Sequence, residues 1–444
     1  MDLKVLLSSP PILENICQNL TFPEAIELKK VFRLVNLDCR LPISDSDNSL
    51  LFLKGVNADT ILAYKAIQKN GSHGALYSAI RNNDQKLVKI LVQQGLDVNF
   101  SNKDGHTPLM ISVNGNKFEL TRFLIENGAN INAQDKMGWT ALSFSSFTGF
   151  DKIAKFLLEQ GANPNLRHAD GSSSIMMATD KGFENVVKLL VEYGSEINYR
   201  SPNGFTALIA AVKKGFDSIV QYLLEKGADP NLADINNQTA LLFASKNNPK
   251  LVKLLLKYNA NPNIVALSRE TPLLISVGEN NLEISEMLLN SGANPNVFNN
   301  KGNSPLIYAT SFNNPEMVLL LSKFNANPNL RSVQLDGITP LLITALFGRN
   351  TIAHILWKHG ADVNLAKFDG ETPLITASSK GFSSLVQFLL EKGANINART
   401  NTGETALMRA TAYGHSSIVE ILQKAGADKT IRNIYGLTAL DYKH

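Results

Sequence analysis

The chain has 444 residues, 44% of them hydrophobic and 18% charged, and a formal net charge of +4 at pH 7. That is apolar material for a large core, while the lysines are spread too evenly to form a nucleic-acid or anionic-membrane footprint. The start, MDLKVLLSSPP, has an acid at position 2 and too short an apolar run for a signal peptide, and no stretch reaches the roughly 18 apolar residues of a membrane helix. Cys17 and Cys39 form no CxxC pair, which argues against a disulfide framework or a zinc site and suits a reducing compartment. The expectation is a soluble cytoplasmic protein with no nucleic-acid partner, no membrane insertion and no cofactor.

The first element is PPILENICQNLTFPEAIELKKVFRLVNLDCR, residues 10–40. Its apolar positions Ile12, Leu13, Ile16, Leu20, Ile26, Leu28, Val31, Leu34 and Val35 predict two or three short amphipathic helices. LPISDSDNS then reads as a linker, and ADTILAYKAIQKNG, residues 58–71, as a helix.

From there one phrase recurs. Thr107, Thr140, Ser173, Thr206, Thr239, Thr271, Ser304, Thr339, Thr372, Thr405 and Thr438 fill one slot at a spacing of 33, except for 32 before Thr271 and 35 before Thr339. A weaker copy, GALYSA, puts Gly74 in the slot. Thr followed by Pro or Ala and then Leu is a hydroxyl N-cap with a residue suited to the first helical position, so a short helix starts there. A break at Gly149, Gly182, Gly215 or Gly381 precedes a second helix with one apolar stripe, such as IVQYLL at 219–224. That helix ends at a glycine in most units and at Asn259 or Asn325 in two; asparagine is the other residue that readily takes the left-handed C-cap conformation. A GANPN-like segment and a polar turn lead to the next threonine as a short hairpin finger. The missing residue before Thr271 falls at SKNNPK between two helices, and the extra ones fall in LRSVQLDG, residues 330–337, which predicts an elongated finger.

This period, with its caps and LLxxGAxxN segment, resembles the ankyrin repeat, a turn plus two antiparallel helices with a TPLHxA phrase. The resemblance covers residues 72–444 and implies an all-α repeat fold: an ankyrin solenoid of about eleven to twelve helix-turn-helix units with short fingers, preceded by a small helical region over residues 1–71. One departure is systematic. The family's histidine is replaced by Met110, Ser143, Met176, Ile209, Leu242, Leu274, Ile307, Leu342, Ile375 and Met408, so apolar packing is expected in place of its hydrogen bonds. In the family, fingers and first helices line a concave groove that binds other proteins; the chain is then a monomeric interaction scaffold.

No catalytic pattern emerges. The seven histidines are scattered, and HExxH, GxSxG, GxxxxGK and GxGxxG after a strand are all missing. The first forty residues carry another resemblance: Pro11, Leu13, Ile16 and Leu20, then LKKVFRLVN with Leu34 and Val35, are similar to the F-box, which docks on a Skp-type adaptor of cullin ubiquitin ligases. PP stands where that pattern has Leu-Pro, and the usual late tryptophan is missing. The alternative is a helical cap over the open stripe of the first repeat. The chain is then either a binding scaffold or a substrate-recognition subunit of a ubiquitin ligase. Arrays with this Asn- and Lys-rich character and an F-box-like head resemble host-directed effectors of intracellular bacteria and large viruses, acting in the host cytosol.

Asn99 and Asn364 follow a leucine at a spacing resembling that modified by the asparaginyl hydroxylase of ankyrin repeats; the alternative is that they simply serve the turn. Residues that break the recurrence mark candidate contacts. Met137, Trp139 and Phe147 have mainly polar or small counterparts in other units, Phe205 stands in the slot of Trp139, and Leu335, Ile338, Phe347 and Phe368 surround the elongated finger. In ankyrin arrays these slots face the groove, where aromatic anchors dominate interface energy. The two groups are expected to anchor one extended partner or two. The alternative is that these side chains fold back onto neighbouring fingers.

Overall fold

The computed structural model describes residues 58–442. The F-box-like residues Pro11, Leu13, Ile16, Leu20, Leu34 and Val35 lie outside the described residues, as do both cysteines. Among the described residues there are 22 α-helices, two short 3-10 turns and no strand beyond isolated bridges. The chain divides into two compact units, one up to Ala169 and one from Asp170.

The first unit opens with α1 (Ala58–Arg81), which is interrupted at Gly71, φ 70 and ψ 165. The remainder of α1 pairs with α2 (Gln85–Gln93) as the weak first repeat. Two full repeats follow: α3 (Pro108–Asn114) with α4 (Phe118–Glu126), and α5 (Ala141–Thr148) with α6 (Asp151–Glu159). The second unit holds eight further pairs. Their first helices include α9 (Ala207–Lys214), α11 (Ala240–Ala244), α13 (Pro272–Gly278), α15 (Pro305–Ser311), α17 (Pro340–Phe347) and α19 (Pro373–Lys380). A 3-10 turn over Ala439–Tyr442 stands where a twelfth unit would begin.

The recurring residues do what the chemistry requires. Thr206 has extended backbone and its hydroxyl accepts from the Ile209 amide at 3.1 Å; Thr271, Ser304, Thr339, Thr372 and Thr405 cap their helices in the same way. Ser173 and Thr239 have the capping backbone without the bond, and their buried hydroxyls have no partner. Asn259 and Asn325 both sit at φ 61, the left-handed conformation that the C-cap demands. The shortened unit contracts α11 to five residues. Apolar stripes of the paired helices, for example Ile219, Val220, Leu223 and Leu224, are buried between neighbours within each unit, so every repeat supports only those beside it.

Asparagine has a second task that the turn chemistry does not suggest. The Asn99 amide donates to Gly128 O at 2.9 Å and its carbonyl accepts from Asn130 N at 2.6 Å. The same two-sided bridge is made by Asn364, to Gly393 O at 3.2 Å and from Asn395 N at 2.7 Å. Asn132, Asn198, Asn231, Asn263, Asn296 and Asn329 repeat it, so a ladder of side-chain amides ties the end of one repeat to the next.

The expected loss of histidine hydrogen bonds needs one correction. Ser143 fills the histidine slot of its repeat, and His168, in the following finger, brings Nε2 to 2.7 Å from its hydroxyl. The polar tie between helix and finger survives there with its partners exchanged.

Candidate protein-interaction face

Most fingers are tight turns closed by a backbone bond across four residues, and those of Asn102, Asp135, Asp234, Asn299 and Asn433 are built around an Asp or Asn. Asp135 N donates to Trp139 O at 2.9 Å, and Asp135 Oδ1 accepts from the amides of Met137 and Trp139 at 2.8 Å each. Neighbouring fingers join through backbone bonds such as Ala169 N to Met137 O, 2.9 Å, and Ile235 N to Asn203 O, 3.1 Å. The residue before the threonine lies beside the end of the following first helix, as Trp139 beside Phe147 in the first unit and Phe205 beside Lys213 in the second.

In the first unit the structure joins most of the expected group. Trp139 is half-buried: its ring lies 5.3 Å from Phe147, 4.9 Å from Phe144 and 4.9 Å from His168, on which it stacks. His106 extends the row, edge-on to Phe144 at 5.7 Å and with Nε2 3.2 Å from Asp135 Oδ2. Met137 stands apart at the fingertip, 61% exposed.

In the second unit the expected residues divide. The elongated finger is closed by the Ser332–Ile338 bridge and carries a 3-10 turn, Val333–Leu335, at its tip. Ile338 is half-buried beneath it, and Leu335 is exposed. Phe368 leans back onto this finger: its ring lies 3.0 Å from where a side chain on Gly337 would start, and the Arg331 guanidinium covers it at 4.5 Å. Lys367 secures the same finger pair, with Nζ 2.8 Å from Asp369, 2.9 Å from Glu371 and 3.7 Å from Asp336. Burial alone would lower the Lys367 pKa, but the Asp369 and Glu371 carboxylates outweigh it and raise the pKa above the usual lysine range. Burial would raise the Asp369 carboxyl, yet the bond from Lys367 and the Glu371 amide hold it below its usual value.

Phe347 is at the other end of α17, about 12 Å along the helix from Ile338. It is 60% exposed, with the Arg349 guanidinium 4.7 Å from its ring. Arg349 donates to the carbonyl of Thr310, and burial lowers its pKa. Phe205 is half-buried, and Lys213 holds its ammonium between that ring, at 4.6 Å, and Phe243, at 4.9 Å.

Several contributors were missed from sequence. Phe312 is 49% exposed and stacks on Tyr308 at 5.9 Å along α15. Comparing the slot eight residues after each threonine would have found it: Phe312, Phe347 and Tyr413 interrupt a series of Gly, Thr, Lys, Asn and Glu. Fingertips Ile235, Leu267 and Val333 are exposed apolar residues that the same comparison exposes one slot at a time. No group of three or more His, Cys, Asp or Glu placed to hold a metal occurs among the described residues, and no described helix is long and apolar enough to cross a membrane.

Comparison with known proteins agrees with the repeat geometry. The family description "Ankyrin repeats (3 copies)" matches residues 76–168, 161–234, 241–332, 324–400 and 341–433, and "Ankyrin repeats (many copies)" matches residues 217–256. Among solved structures the chain is similar to the ankyrin repeat domain of Bcl-3, described as a unique member of the IkappaB protein family, at 26% identity and TM-score 0.44, over 48% of this chain and 96% of that one. It is also similar to the human ASB11 ankyrin repeat domain, at 25% identity and TM-score 0.44, over 50% of this chain and 98% of that one. No curated protein sequence matches significantly. With capped helix pairs, closed fingers and family matches running from residue 76 to residue 433, the chain belongs to the ankyrin repeat family.

Proposed function

We propose that the chain is a non-enzymatic interaction scaffold that holds partner proteins on the face made by its fingers and first helices. One observation carries the reading. Side chains that recur are buried as core, whereas several that break the recurrence, Met137 in the first unit and Phe312, Phe347 and Phe368 in the second, are large, apolar and exposed on fingers or at first-helix ends. In this reading residues 1–71 form a helical head and residues 72–444 the array, and the protein acts as a monomer in the cytoplasm. Hydrogen exchange on the chain with a captured partner tests it: protection gained along the fingers and first helices is expected, and protection confined to the second helices would refute it.

The pattern of Pro11, Leu13, Ile16, Leu20, Leu34 and Val35 supports a second reading, in which the array selects a substrate and the head recruits a Skp-type adaptor. Adaptor binding by the full chain and its loss on deleting residues 1–45 is the result that reading needs. A full chain that ignores the adaptor leaves the head as a cap.

A further inference from the structure

We propose that the interaction face of the second unit takes an extended segment of a partner protein that carries acidic residues at one end and an apolar or aromatic anchor further along. This rests on the scaffold reading above and specifies its ligand.

The acidic requirement comes from charges that the fold leaves unbalanced. Lys213 lies in the last turn of α9 and Lys246 two residues past the end of α11, in consecutive repeats, both exposed. Among the described residues no carboxylate lies within ion-pair distance of either, whereas Lys214 beside them is matched by Asp180 at 3.2 Å. Lys213 is also held in place: its ammonium sits between the Phe205 and Phe243 rings, which contribute cation–π attraction but no negative charge. An ammonium positioned on a semi-apolar face and lacking a counter-ion is a site for a partner's carboxylate, and charge complementarity of this kind sets partner choice and association rate.

The anchor comes from the two repeats beyond that of Thr271. Tyr308 on α15 and Phe312 at its C-cap, then Phe347 on α17, present three aromatic rings from adjacent repeats. Arg349 against the Phe347 ring adds a cation there as well. Successive first helices pack against one another within this unit, so they stand about 10 Å apart. Lys246 and Phe312 are then two repeats, or about 20 Å, apart, and Lys213 and Phe312 three repeats, or about 30 Å. At about 3.3 Å per residue of extended chain, the partner's acidic residues fall roughly six to nine residues from its anchor. A segment with a basic residue in that place would meet Lys213 or Lys246 directly, and like charges across an interface are strongly disfavoured.

The test is selection on the full chain from a display library of random linear peptides, each about 16 residues long so that an extended one spans these repeats. Selected peptides should carry Asp or Glu about six to nine residues from a Leu, Phe, Tyr or Trp. A synthetic representative should lose at least about tenfold in affinity with Lys213→Glu plus Lys246→Glu, and again in high salt, which screens exposed charge pairs. Phe312→Ala should weaken it by a similar factor. All three positions are exposed, so the melting temperature serves as the control for folding. Peptides without acidic enrichment, weakened by Phe312→Ala but untouched by the charge reversals, would overturn the acidic occupant and leave the interaction face standing. Failure to enrich any peptide, or peptides indifferent to all three substitutions, would count against both.

Discussion

The imidazole of His168 stacks on the indole of Trp139 with ring centroids 4.9 Å apart, while its Nε2 lies 2.7 Å from the Ser143 hydroxyl. One residue thus supports a half-buried indole and ties its finger to the helix of the preceding repeat. His168 itself is 6% exposed, so Trp139 rests on a fixed platform rather than in solvent.

Trp139→Ala should therefore act twice. Loss of contacts to Phe144, Phe147 and His168 is expected to cost about 1 to 3 kcal/mol of stability, most of it buried area and ring contact. Met137→Ala, at the exposed tip of the same finger, should leave stability within about 0.5 kcal/mol. Thermal melts of the two variants check the contrast, and equal melting temperatures would mean that the indole packs on nothing that matters.

Damage to the core should stay local. Leu223 and Leu389 are fully buried in second helices, and truncating either to alanine should cost about 2 to 5 kcal/mol through the cavity left behind. Because repeats touch only their neighbours, hydrogen exchange should rise around the altered repeat and toward the nearer end. A uniform loss of protection along the chain would contradict a nearest-neighbour stack.

Asn364→Ala removes both bonds of one ladder step, and a cost of about 1 to 2 kcal/mol is expected from two net hydrogen bonds. The same geometry bears on modification. Asn99 and Asn364 are tied on both sides by the ladder, as are their counterparts, so an asparaginyl hydroxylase would need those repeats opened first. Mass spectrometry after expression in a eukaryotic cytosol reads this directly; modification of Asn99 or Asn364 in the intact array would show that the ladder is no barrier.

The Lys367 cluster gives the finger pair a defined pH range. The Asp369 carboxyl is held below its usual value, so its contribution is present above about pH 4 and is lost as pH falls through the lower folded value. The Lys367 ammonium is raised, so its share is present below about pH 10 and is lost only as pH climbs beyond the higher folded value. Amide protection around Phe368, taken relative to the intrinsic exchange rate at each pH, should therefore be flat near neutrality and fall in acid, and Lys367→Met should remove much of that acid response.

Period, caps and C-terminal asparagines were legible because each is a local requirement of backbone geometry. Thr206 caps and Asn259 turns left-handed whatever lies beyond the repeat. The ladder was not legible: the spacing of Asn364 is compatible with a turn role, and only the neighbouring repeat supplies the Gly393 carbonyl that gives the amide a partner. Site residues were legible in part, since departure from the repeat marks Trp139 and Phe347 but does not say how far each is covered. His168 stands in a slot held by Asn102, Asp135, Asp234, Asn299 and Asn433 in other fingers, yet its contact with Ser143 joins two slots 25 residues apart, a pairing that no single-position comparison reveals.

The most direct measurement compares two exposed aromatics on opposite kinds of helix. Phe347 ends a first helix, whereas Trp357 lies on a second helix (Asn350–Lys358), covered by the Lys392 ammonium at 4.2 Å. With a captured partner, the affinity of Phe347→Ala and Trp357→Ala is measured beside that of the unaltered chain. Loss of about 2 kcal/mol or more, roughly thirtyfold, on Phe347→Ala with Trp357→Ala unchanged is the expected result. The reverse pattern would place binding on the second helices and contradict the account.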